Sequence, residues 1–155
     1  MEKSLKTLEI VNAYQLLGNA KYNKLEDADQ LKVWRLSRLM KPIAKEAEEA
    51  QQDALSSLIP DEFRQKVQKA QEYAEAKKAG LKDKDGLPMT DKEYLEYLTE
   101  FRKYNILVGK AFDEVLQKEV TIEYEPLSED TVGLLVTCNE WPMDKALEHL
   151  EWLIG

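Results

Sequence analysis

The sequence has one cysteine, Cys138, and one histidine, His149, and this scarcity limits the chemistry that the chain can perform. A lone cysteine forms no internal disulfide, which is typical of proteins from a reducing cytoplasm. A zinc site takes about four Cys, His or acidic ligands. A nucleophilic triad needs a base beside its nucleophile, and His149 with Cys138 is the sole classical pair of this kind in the sequence. A Glu-x-x-His di-iron motif is missing, because Ala146 stands three residues before His149. We therefore predict a protein without catalysis, cofactor or metal.

Glycine and long apolar runs are also scarce. Six scattered glycines form no phosphate-binding loop of the GxGxxG or GxxxxGK kind. No stretch approaches the roughly 18 apolar residues of a membrane span, and the amphipathic start of the chain predicts no signal peptide. "DKDG" at residues 83–86 fails as an EF-hand loop, because Leu81 and Lys92 fall where oxygen ligands are needed, so we predict a turn. These features favour a cytoplasmic protein without membrane contact.

Negative charge is abundant, and it is confined to one part of the chain. The net charge is −8, and residues 119–155 alone hold nine acids and one base, Lys145. Residues 1–118 are therefore neutral overall. A surface of this sign repels nucleic acid and anionic membranes and favours a basic protein partner. The alternative is a solvated acidic face that acts only for solubility.

Apolar spacing predicts three helices in the first half of the chain. The first is expected at Thr7–Leu17. The second is long, with a stripe from Leu36 to Leu58 that continues, kinked, through Pro42. The third follows Pro60 and has few apolar residues, so we expect it to form one arm of a helical hairpin.

The fourth helix has the clearest start in the sequence, because Thr90 and Glu93 form a capping-box pattern. Its stripe contains one polar residue, Asn105, which favours a partly exposed position or a role in a homo-oligomer. Four aromatic residues lie at helical spacing and are predicted to be in the core: Trp34, Tyr94, Phe101 and Phe112.

After the fourth helix the apolar period changes from 3.6 to 2, which predicts a strand at residues 119–125. Val120, Ile122 and Tyr124 form its inner side. Because a single strand leaves its backbone groups unpaired, three arrangements stay open. "GLLVT" at residues 133–137 returns beside it, the strand runs extended over the helices, or a partner adds a strand. Residues 132–138 fit a helix or a strand equally well.

The acidic segment holds the candidate partner-binding residues. Two large rings stand near the carboxylates, where they either anchor a protein partner or pack against the chain's own helices. The candidates are Glu119, Glu123, Glu125, Glu129, Asp130, Trp141 and Trp152.

Several stretches resemble a family of small helical phage and prophage proteins of uncharacterised function. The resemblance is carried by "TLEIVNAYQLLGNAKYNKL", "WRLSRLMKPIAKEAEEA", "VLQKEVTIEYEPLSED" and "ALEHLEWLIG". It covers most of the chain except residues 60–92. It implies a phage-encoded protein of the host cytoplasm without assigned catalysis, and it supplies no site residues.

Together these patterns predict a mainly α fold: a bundle of the first, second and fourth helices, a long helical hairpin, and a short extended or β segment near residues 119–125. We expect residues 1–155 to form a single domain, with a neutral helical body at residues 1–118 and an acidic C-terminal segment at residues 119–155 packed on it. The predicted function is that of a non-catalytic interaction or assembly accessory protein. The alternative is an acidic inhibitor of a nucleic-acid-binding host defence protein, in the manner of anti-CRISPR proteins.

Overall fold

The computed structural model describes residues 1–82 and 86–155. Helix accounts for 72% of the chain, so the predicted mainly α class is confirmed. The elements in chain order are β1 (Glu2–Lys6), α1 (Thr7–Gly18), α2 (Asp27–Leu58), α3 (Asp61–Lys78), α4 (Asp91–Gln117), β2 (Glu119–Glu123), α5 (Glu129–Cys138), α6 (Met143–Leu150) and a 3-10 turn (Glu151–Leu153). The predicted DKDG turn lies outside the described residues except for Gly86. No described helix has both the length and the apolar content that crossing a membrane requires.

The chain forms two compact units. Unit 1 combines Met1–Glu49 with Glu114–Gly155, and unit 2 is Ala50–Asp113. The boundary that we predicted between residues 118 and 119 is not a boundary between these units, because the acidic segment belongs to the same unit as the N-terminus. A single domain for residues 1–155 stays a prediction.

The partner of the acidic strand is the N-terminus of the chain. β2 pairs with β1 in an antiparallel register that places Leu5 opposite Val120 and Lys3 opposite Ile122. The predicted inner side is confirmed, since Ile122 and Tyr124 are buried and Val120 is half-buried. The sequence analysis did not foresee this pairing with residues 2–6, and a strand added by a partner stays a prediction.

"GLLVT" cannot return beside β2, because it lies in the helix α5. Ser128 caps that helix by accepting a hydrogen bond from the amide of Thr131 at 3.1 Å. Acids in the first turn, Glu129 and Asp130, add a favourable interaction with the positive end of the helix dipole. The cap and these two acids therefore favour a helix and outweigh the strand preference of the β-branched residues that follow.

The core of unit 1 is one cluster of buried side chains. Its members within the described residues come from β1, α1, α2, β2, α5, α6 and the segments between them. The helices α5 and α6 contribute to this cluster together with α1 and α2, whereas no described residue of α4 belongs to it. The acidic segment supplies ten of the buried residues: Ile122, Tyr124, Leu127, Val132, Leu135, Val136, Ala146, Leu150, Trp152 and Leu153.

Unit 2 contains the predicted helical hairpin. α3 and α4 run antiparallel, since Phe63 near the start of α3 stacks on Tyr97 and Tyr73 near its end meets Tyr94. The capping box that starts α4 is confirmed: the Glu93 amide donates to the Thr90 hydroxyl, and the Glu93 carboxylate accepts from the Thr90 amide.

Two of the four aromatic residues predicted to be in the core are exposed. Trp34 is 48% exposed, because α2 turns the opposite side, with Val33 and Leu36, toward the core. Phe101 is also exposed, since α4 buries Tyr97 instead. Tyr94 and Phe112 are half-buried, and Asn105 is exposed.

The end of α5 carries a backbone strain that a substitution can relieve. Glu140 has a φ of 57°, in the left-handed region that costs a non-glycine residue about 1–2 kcal/mol. It is the residue after the C-cap, Asn139, and the next amide, of Trp141, donates to the carbonyl of Val136 at 3.2 Å.

We expect Glu140→Gly to raise the free energy of unfolding by about 0.5–1 kcal/mol, because glycine adopts this conformation without a Cβ clash. Urea titration measures the change. Glu140→Ala is the control, since it removes the charge and keeps the Cβ. Equal stabilisation by both variants would assign the effect to charge and contradict the strain.

Candidate partner-binding groove

Unit 1 carries an open groove of about 800 Å³ on the side where α5 and α6 meet the N-terminus. Its lining combines apolar side chains, which we call the floor, with four acids, which we call the rim. We call it the acidic groove. It is lined by Lys3, Glu9, Glu129, Gly133, Met143, Leu147, Glu148, Glu151, Trp152 and Ile154.

The apolar floor follows from the position of α6. This helix buries Ala146 and Leu150 in the core, and a neighbouring side of it carries Met143 and Leu147 at a spacing of four. Leu147 is half-buried against the core, whereas Met143 is 46% exposed. Met143 therefore adds exposed apolar surface to the lining of the groove.

The rim is negative and little compensated. Glu129, Glu148 and Glu151 are exposed, and none of them forms an ion pair within the described residues. Glu9 is exposed too, but its carboxylate caps α1 by accepting from the amide of Lys6 at 2.9 Å. Among the described lining residues Lys3 is the one base, and its ammonium donates to the Trp152 carbonyl at 3.2 Å.

Trp152 forms one wall of the groove and is held by Tyr124. The two rings meet edge to face with centroids 5.4 Å apart, and the Tyr124 hydroxyl donates to the Trp152 carbonyl at 2.5 Å. Burial raises the pKa of the Tyr124 phenol, so it stays a hydrogen-bond donor at neutral pH. The Trp152 indole N–H is buried and has no acceptor among the described residues.

The chain matches no protein-family model, no curated protein and no solved structure. The groove and the charge around it are therefore the features of this protein that bear on its function.

The structure brings two of the predicted site residues, Glu129 and Trp152, together in the acidic groove. Trp152 is only 8% exposed, so it forms part of the core and cannot insert into a partner as a protruding anchor. Asp130 is exposed in the first turn of α5 beside Glu129 and does not line the groove.

The other predicted acids lie on or just after β2. Glu119 and Glu123 are on its outer side. Glu125 forms an ion pair with Arg35 at 3.4 Å, and both side chains are more than half exposed. Such a pair contributes about 0–1 kcal/mol. All nine acids of residues 119–155 are exposed, and Glu125 is the one that forms an ion pair within the part of the chain that the structure describes.

Trp141 lines a second cavity of about 430 Å³ between α1 and α6, together with His149, Asn12 and Gln15. Its ring is half-buried and packs against the core. The lone cysteine lies elsewhere: the Cys138 thiol donates to the carbonyl of Lys21. No group of three or more His, Cys, Asp or Glu side chains within the described residues is placed to hold a metal ion.

Sequence reasoning missed several groove residues as functional candidates. Met143 and Leu147 share one apolar face of the last segment with the buried Leu150, and this spacing alone does not distinguish a groove residue from a core residue. Glu148 and Glu151 were counted in the net charge and not singled out. The signal was present, because Met143, Leu147 and Glu151 recur every four residues and so share one side of the chain end.

Proposed function

We propose that this protein is a non-catalytic interaction protein whose acidic groove binds a basic, amphipathic segment of a protein partner. The observation that carries the proposal is the combination of an open apolar floor with a carboxylate rim. Apolar side chains of the partner gain affinity by burial on Met143 and Leu147, and the rim selects and orients positive charge.

The resemblance to small phage and prophage proteins supports the biological setting of this proposal. In that setting the chain is an assembly or accessory factor in the cytoplasm of the host cell. Its partner is a protein that carries a basic segment. Direct binding of nucleic acid or of an anionic membrane is disfavoured by the exposed acids.

A blocked groove tests the proposal. Gly133 lines the groove in α5, and a Cβ added there meets no atom within 4 Å. Gly133→Phe therefore adds a ring to the groove lining at a position where the Cβ itself meets no other atom. The probe is a synthetic helical peptide with two leucines on one side and lysines beside them, and titration calorimetry measures its binding. We expect the variant to weaken binding at least about tenfold, since about 1.4 kcal/mol of lost contact suffices.

The matched control is Gly109→Phe. Gly109 lies in α4 of unit 2, and a Cβ there also meets nothing within 4 Å. The control should bind the peptide like the wild type. A second peptide with glutamates in place of the lysines should not bind. Equal affinity of both glycine variants for the lysine peptide would refute the groove as its site.

The exposed nine-acid surface favours a second candidate function. In it the protein acts as an acidic inhibitor that occupies a nucleic-acid-binding groove of a host defence protein. The two candidates differ in one measurement. An inhibitor of this kind competes with nucleic acid for a basic protein at low salt. A protein that only binds a basic segment in its acidic groove leaves nucleic-acid binding by other proteins unaffected.

A further inference from the structure

The chain carries on its own surface a helix with the chemistry that the acidic groove is proposed to bind. Residues 30–45 of α2 contain five bases and no acid, in a protein whose net charge is −8. These bases are Lys32, Arg35, Arg38, Lys41 and Lys45. The neutral total of residues 1–118 conceals this run, because acids before and after it cancel its charge.

Five side chains of this stretch form one exposed line along the helix, which we call the basic stripe: Leu31, Trp34, Arg38, Lys41 and Lys45. Their spacing of three and four residues places them within a sector of about 80°. All five are exposed. The core side chains of α2, among them Val33 and Met40, lie on the other side of the helix.

The stripe combines apolar anchors with positive charge. Trp34 and Leu31 are exposed large apolar residues, and the Arg38 guanidinium lies 5.3 Å from the centre of the Trp34 ring. Tryptophan and arginine are the residue types that most often dominate binding energy at interfaces. A Trp–Arg pair at the start of the stripe and two lysines after it match the apolar floor and the four-acid rim of the groove.

We propose that the basic stripe of one molecule docks in the acidic groove of a second copy of the chain. This inference rests on the proposed function, because it names an occupant of the same groove. The complementary charges of the two surfaces argue for a second copy. The stripe is exposed within its own molecule, so it is not in its own groove.

The contact is heterologous: it joins two different surfaces, and each added molecule leaves a stripe free at one end and a groove free at the other. The expected product at low salt is a concentration-dependent set of oligomers, which are open chains or closed rings according to the rotation between neighbouring molecules. Salt weakens it, because exposed charges are screened over about 8 Å at physiological ionic strength.

Two variants of the full chain test the inference by complementation. The first, Gly133→Phe, blocks the groove and keeps the stripe. The second, Trp34→Ser with Arg38→Glu, disables the stripe and keeps the groove; both positions are exposed, so the fold is retained. Light scattering coupled to size exclusion at low salt measures the mass. We expect oligomers for the wild type, a monomer for each variant alone, and a particle of twice the monomer mass for their equimolar mixture.

Three results would overturn the inference. They are a wild type that stays monomeric at low salt, oligomers that persist in the Gly133→Phe variant, and a stripe that binds a short oligonucleotide but no second copy. If the wild type is monomeric while the lysine peptide still binds the groove, self-association fails and the proposed function stands. If neither the peptide nor a second copy binds, both fail.

Discussion

Removal of residues 118–155 is expected to abolish the cooperative folding of unit 1. This segment supplies β2, the partner of the N-terminal strand, and ten buried residues of the core cluster. Burial of one large apolar side chain contributes about 1.5–3 kcal/mol, so the loss exceeds the roughly 5–15 kcal/mol by which a domain is stable. The fragment should show no cooperative thermal transition for unit 1, and amides of α1 should exchange rapidly with deuterium.

The control keeps the segment and removes three of its nine acidic charges. A full-length variant with Gln at Glu119 and Glu123 and Asn at Asp144 retains every buried side chain, because these three acids are exposed. It should unfold cooperatively near the wild-type temperature. A fragment of residues 1–117 with slow exchange in α1 would contradict the structure. Since truncation removes core as well as charge, binding by the acidic surface has to be tested with surface substitutions.

Leu135→Ala is expected to lower the free energy of unfolding by about 2–5 kcal/mol, because it leaves a cavity in the core of unit 1. Leu135 is 0% exposed and belongs to the core cluster. Chemical denaturation followed by tryptophan fluorescence measures the change, since Trp152 belongs to the same cluster.

Leu134→Ala is a closely matched control, with the same change on the same helix one residue away. Leu134 is 43% exposed, so its truncation should change the free energy of unfolding by less than about 0.5 kcal/mol. If the two variants are destabilised equally, α5 does not face the core as the structure has it.

Both predictions bear on how the acidic segment works. It is part of the core of unit 1 on its inner side and a charged surface on its outer side, so its sequence serves two purposes. Ile122 and Glu123 illustrate this at neighbouring positions, one buried and one exposed. The acids therefore lie on the outer side of a folded unit and not on a tail that is separate from the core.

Local signals were sufficient for the parts of the fold that depend on neighbours in sequence. The capping box at Thr90, the cap at Ser128 and the alternation of Val120 and Ile122 each act over a few residues, and the structure has all three. Gly80 follows Ala79, the C-cap of α3, and its φ of 86° is the left-handed conformation that glycine commonly adopts after a helix.

The groove could be predicted only in part, because a surface formed by distant segments has no local pattern. Glu129 and Trp152 were singled out, but Glu9 is more than a hundred residues away from them in sequence. The exposed side of α2 was misread for a related reason. Trp34 and Leu36 both fit helical stripes, and only packing decides which side of the helix is buried.

The sequence alone determined the helical class, the alternation of β2 and the location of the surplus negative charge, since these follow from composition and from spacing along the chain. Tertiary structure decided that residues 2–6 pair with β2, that α5 and α6 complete the core, and that four scattered acids surround one apolar floor. The physical reason is the distance along the sequence over which the stabilising interactions act. A cap or a stripe gains its energy from residues within a few positions, whereas a strand of five residues with one strongly buried side chain, Leu5, has no stable form until its distant partner is present.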